Sequence, residues 1–139
     1  MVNRRMVVEK LAHARASLEK LKQRRRIGLE ELLRDTDAQD IVLRNLQVAI
    51  QACIDIGSHV ISDEGWEIPG SLADIFEILH EKGVIPLSLM QKLISMAGFR
   101  NIVIHEYARI DIRKVREILK KGLRDFDKFM EIIVSKYRL

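Results

Sequence analysis

Only two prolines, Pro69 and Pro86, and seven glycines interrupt 139 residues. That scarcity of helix breakers constrains the fold more than any other feature of the chain. Between the interruptions, apolar residues recur at spacings of three and four, and β-branched residues seldom alternate with polar ones, which is the pattern of amphipathic helices and not of strands. Aromatic residues make up just 5% of the chain. The expected fold class is all-α: five helices in an up-and-down type bundle, forming one domain over residues 1–139.

The first expected helix runs from about Asn3 to Arg34, with Met6, Val7, Leu11, Ala14, Leu18 and Leu21 on one stripe. Asp35-Thr36-Asp37 breaks it and offers caps to the second, which runs to about Ser62. Gly57, inside that second helix, is unfavourable for helix propensity, so close approach by a neighbouring helix is its expected reason. Asp63 to Gly70 reads as a loop containing Trp66 and Pro69. Ser71, with Asp74 three residues on, forms a capping box for a third helix that Gly83 closes. Pro86 suits the first turn of a fourth helix, through Leu87, Met90, Leu93, Ile94 and Ala97. The chain is expected to turn near Ile110-Asp111, and Asp111 to cap a last helix with the stripe Ile112, Val115, Leu119, Phe126, Met130, Ile133 and Tyr137.

The net charge of +4 conceals an asymmetry. Residues 1–35 carry ten Lys/Arg against five Asp/Glu, residues 36–99 three against nine, and residues 100–139 eleven against six. Basic ends that share one face of a bundle would attract nucleic-acid phosphates, although long helices also solvate themselves with such residues. No stretch approaches the ~20 apolar residues of a membrane span, and Met1 to Lys10 leads into no apolar run of a secretory signal. A single cysteine, Cys53, excludes an internal disulfide. Cytoplasmic residence is the expectation.

The stretch richest in chemistry is Arg100-Asn101-Ile102-Val103-Ile104-His105-Glu106-Tyr107. On one helix, Asn101 and His105 would lie about 40° apart and Arg100 and Tyr107 within about 20°. Arg100 and His105 would stand about 140° apart, too far round for contact within one helix. Two copies facing each other across a dimer axis would bring these groups into one cleft.

This stretch resembles the Arg-x4-His-x-Tyr signature of HepT-like proteins in the HEPN superfamily. Met96-Ala97-Gly98-Phe99 before the motif and Ala108-Arg109-Ile110-Asp111 after it are similar to that family too, as are Leu46 to Ile56 and Pro69 to Phe76. The resemblance covers roughly residues 40–115. It implies a dimeric, metal-independent endoribonuclease toxin with no cofactor, in which Arg100 and His105 are catalytic and Asn101 is a supporting polar residue. It further implies a nucleotidyltransferase antitoxin partner, of the kind called MntA, that modifies Tyr107 with adenylate. The chemistry suits RNA. A guanidinium holds a phosphate through two donors, and an imidazole titrating near neutrality moves protons between the 2′-hydroxyl and the leaving oxygen.

Other residues carry weaker signals. Asp55 and His59, one turn apart, lack a third ligand for a metal site and read as an intrahelical ion pair or a bundle-facing polar contact. Arg24-Arg25-Arg26 reads as a solvated face or an RNA contact, and Trp66 as a lid over the core. Two rival functions fit the same helices: a non-catalytic binding subunit associated with a nucleotidyltransferase, and a nucleic-acid-binding regulator. The second lacks a recognition-helix turn or an aromatic RNA-binding signature.

Overall fold

The computed structural model describes residues 3–139, with Tyr107 by its backbone alone. Every regular element among the described residues is helical, and none is a strand: α1 (Arg4–Gln23), α2 (Leu29–Arg34), α3 (Thr36–Glu64), α4 (Leu72–Glu81), α5 (Leu87–His105), a 3-10 turn (Tyr107–Arg109), α6 (Ile112–Glu117), a π turn (Ile118–Gly122) and α7 (Leu123–Tyr137). The last three run on without leaving helical dihedrals. The all-α expectation therefore holds. Among the described residues, no helix is long and apolar enough to cross a membrane.

The helix starts are specified locally. Asn3, Asp35, Ser71 and Asp111 each accept a first-turn N–H through the side chain, satisfying donors that have no intrahelical partner. At α4 the box is completed from one residue upstream: Asp74 Oδ2 accepts from the Gly70 N–H at 2.9 Å. Gly65 and Gly83 close α3 and α4 at φ 71° and 76°, a region that L side chains resist.

Two expected boundaries are corrected. The first helix does not reach Arg34. It ends at Gln23, and Gly28 is extended before α2 begins. Gly28 is poor material for continuing a helix, and the break folds α2 back so that Leu32 is fully buried. The fourth helix stops at His105: Glu106 leaves helical dihedrals at φ −135° and ψ 48°. The β-branched run Ile102-Val103-Ile104 weakens helix propensity just before that point. The motif is thus divided between a helix end and a 3-10 turn, and the expected alignment of Arg100 with Tyr107 on one helix does not occur.

At the centre of the bundle, α3 lies antiparallel to α1, as the Asn3 N–H to Asp63 (2.8 Å) and Lys10 to Asp55 (3.0 Å) contacts at its C-terminal half require. Asp55 also accepts from Gln51, and His59 lies 3.2 Å from Asp63, so of the two expected arrangements the intrahelical Asp55–His59 pair does not form and the bundle-facing contact, Asp55 with Lys10, does. Phe76 of α4 meets Phe129 of α7 edge-on, with ring centroids 6.4 Å apart. Cys53 is buried among these helices, and desolvation pushes its thiol up to about 12, which keeps it an inert apolar filler.

Gly57 has the close neighbour that the sequence suggested. A Cβ there would stand 2.8 Å from Ile75 Cγ2 and 3.2 Å from Leu79 Cδ1. Gly57→Val should therefore force α4 away from α3 and lower stability by about 1–3 kcal/mol. Urea denaturation followed by circular dichroism should show a lower midpoint at unchanged slope; an unchanged midpoint would mean that the α3–α4 contact yields freely.

Candidate active site

Helix α5 has two opposed faces. Leu89, Leu93, Met96, Ala97, Phe99 and Val103 are buried against the bundle. On the other side Leu87, Gln91, Gly98, Asn101, Ile102 and His105 are exposed, and Ile94 is half-buried. The positions 87, 91, 94, 98, 101 and 105 follow alternating steps of four and three, the seam spacing of helices packed side by side. Ile102 and Leu87 leave 37% and 52% of their surface in solvent. Gly98 lies midway along this seam, and an added Cβ there would meet nothing within 4 Å. No contact among the described residues explains a glycine at that exposed helical position, where it is less favourable than alanine by about 1 kcal/mol.

Arg100 projects from the buried side of α5. Its Nε is buried without a hydrogen-bond partner among the described residues, while Nη1 donates to Asn101 Oδ1 at 3.1 Å. The stem is therefore held in the bundle, and the guanidinium is drawn round the helix toward the side that carries His105. His105 is exposed in the last turn of α5 and has no hydrogen bond or ion pair with any described residue. Asn101 thus partners Arg100 and not His105.

Arg100 and His105 remain about 140° apart around the axis, since both lie on α5. Beyond them Glu106 and Arg109 pair at 3.1 Å across the 3-10 turn, a contact that sequence reasoning did not anticipate. Its signal was the i,i+3 spacing of opposite charges. The backbone of Tyr107 opens that turn, two residues past His105; its side chain lies outside what is described. An anion binder and a proton carrier are thus held at one helix end, beside an exposed seam. Such groups can bind a phosphodiester and move protons on it.

Trp66 is partly buried against the core, with Lys82 Nζ 5.8 Å from its ring. It covers the bundle below its loop, as expected. His80 Nδ1 lies 3.0 Å from the Ile85 carbonyl oxygen, a structural tie of the α4–α5 connection.

The family model described as ribonuclease HepT-like matches residues 14–133. The chain is 30% identical over 131 residues to the mRNA nuclease HepT of Shewanella oneidensis, covering 94% of this chain and 98% of that one. It is also 30% identical over 121 residues to the tRNA nuclease HepT of Aphanizomenon flos-aquae, covering 85% and 80%. Among solved structures it is similar to a tri-AMPylated Shewanella oneidensis HEPN toxin in complex with MNT antitoxin: TM-score 0.87, 29% identity, 97% of this chain and 99% of the other. A toxin–antitoxin crystallised with AMP-PNP gives a TM-score of 0.85 at 28% identity, covering 96% and 99%.

Proposed function

The chain belongs to the ribonuclease HepT-like family, and on that premise we propose that it is a metal-independent endoribonuclease toxin whose active site forms where two copies meet along α5. The observation that carries this reading is the divergence of Arg100 and His105 around one helix, beside a seam that the described residues leave exposed. Alone, each copy roots its phosphate clamp and its proton carrier on different sides of α5. A second copy seated on the seam supplies the missing group, and Gly98 lets the two backbones approach closely.

In the composite cleft, the Arg100 guanidinium holds the scissile phosphate through paired N–H donors and stabilises the charge that develops on it. The ribose 2′-oxygen attacks phosphorus while one His105 imidazole takes its proton. The bond from phosphorus to the 5′-oxygen breaks, and the same imidazole, now protonated, passes the proton to the leaving oxygen. The products are a 2′,3′-cyclic phosphate and a 5′-hydroxyl. Asn101 is a positioning residue: it fixes the direction of the Arg100 guanidinium. The antitoxin partner is a nucleotidyltransferase that attaches adenylate to Tyr107, placing bulk and negative charge two residues from His105 and barring the phosphate. The tri-AMPylated state of the similar toxin supports this assignment.

Purified protein should cleave RNA in EDTA. His105→Ala should bind RNA as well as the unaltered protein and cleave it roughly 10²–10⁴-fold more slowly. Arg100→Ala should lose both cleavage and phosphate affinity. Tyr107→Phe should keep cleavage and escape adenylation by the partner. Cleavage that vanishes in EDTA and returns with magnesium, or that survives His105→Ala, would refute the mechanism.

The interface has its own test. Nothing lies within 4 Å of a Cβ at Gly98, so Gly98→Glu should leave the thermal stability of the single chain intact. In sedimentation it should shift the protein from dimer to monomer, and cleavage should fall with it. A Gly98→Glu protein that sediments as a dimer and cleaves normally would place the interface elsewhere.

A further inference from the structure

On the flank of α5 away from His105, a cavity of about 300 Å³ opens between α5 and the π turn. It lies within the size range of small-ligand pockets, at its lower end. Its apolar wall is Met96 and Ile118, its rim carries Lys92, Lys114, Lys121 and Arg124, and Asp125 lines it from α7. The π turn creates this space by widening the helix locally, a device that recurs at binding sites. Gly122 keeps it open: a Cβ there would stand 3.2 Å from both Met96 Cε and Ile118 Cγ2.

Asp125 is the informative group. Its residue is 7% exposed, yet among the described residues its carboxylate accepts no hydrogen bond, and its ion-pair partner, Lys92 Nζ, is 3.5 Å away. A carboxylate so enclosed, with a single ammonium 3.5 Å away, keeps acceptor capacity for donors that enter the cavity. Here it lines an open cavity with an ammonium beside it and further cations around the mouth. A ligand that completes this site offers N–H donors to the carboxylate, a carbonyl oxygen to the ammonium, a flat apolar body to Met96 and Ile118, and phosphate to the rim.

We infer that this cavity binds a guanine nucleotide, and that in the proposed nuclease reaction it is an unpaired guanosine of the RNA, flanking the bond that is cut. Guanine places two parallel donors, N1–H and N2–H, beside O6, which matches a carboxylate flanked by an ammonium; adenine, cytosine and uracil each present a single such donor site to Asp125. Met96 lies one turn before Arg100 and within about 40° of it around α5, so the pocket stands about one helical turn from the root of the phosphate clamp. The inference rests on the nuclease reading for its RNA part and on the cavity alone for its nucleotide part.

The test titrates the full-length protein with 5′-GMP, AMP, CMP and UMP by calorimetry, and separately maps the cuts made in a random-sequence RNA. GMP should bind about tenfold or more tightly than the other three, and cuts should concentrate at a fixed step from a guanosine. Asp125→Asn removes one acceptor and should abolish the preference in both assays. Lys121→Glu, on the exposed rim, should weaken all four nucleotides while keeping their order, and it guards against misfolding of the Asp125 variant. Equal binding of the four nucleotides, or affinities indifferent to both substitutions, would overturn the pocket. Selective GMP binding with cuts indifferent to guanosine would overturn the RNA role and leave a free-nucleotide site. If the protein cuts no RNA, the nuclease reading fails, and the GMP titration still decides the pocket.

Discussion

The bundle depends on the burial of α3. This helix of 29 residues places 14 of them out of solvent, against α1 on one side and α4, α5 and α7 on the others. Gly57 allows α4 within reach of its backbone, and the antiparallel α1 ties its C-terminal half through Lys10 and Asn3. Its neighbours must therefore spend their apolar faces inward. For α5 this fixes the rotation about its own axis, and that rotation decides which motif residues reach solvent.

With α5 so held, Arg100 emerges from the side occupied by the core, and His105 from the side facing water. The long arginine stem tolerates that position because its methylenes pack while its charged end reaches out. Asn101 then redirects the guanidinium. On the proposed reading the site follows from helix geometry: five residues of separation root the two groups about 140° apart around α5, and a second copy on the exposed seam would complete the arrangement.

Much of this was legible in the residues. The caps at Asp35, Ser71 and Asp111, the glycine stops, the buried stripes and the close approach at Gly57 follow from local rules with short reach. Arg100, Asn101 and His105 stood out because polar, chemically capable groups are conspicuous in an otherwise apolar helix. What the sequence concealed required tertiary context. The break before α2 depends on Leu32 finding the core, and the end of α5 at His105 depends on a β-branched run meeting the next helix start. The cavity at the π turn needs three segments brought together, since neither Asp125 nor Lys92 signals anything in its own neighbourhood.

The central claim is that the phosphate clamp of one copy works with the proton carrier of the other. Mixing two inactive proteins tests it most directly. Arg100→Ala and His105→Ala chains, unfolded together and refolded as mixed dimers, should regain RNA cleavage, because each mixed dimer contains one intact guanidinium facing one intact imidazole. Rates should rise above those of either parent refolded alone. If mixed dimers form, as mass spectrometry of the intact species can establish, and still cleave no faster than the parents, the two groups act within a single chain and the composite site is wrong.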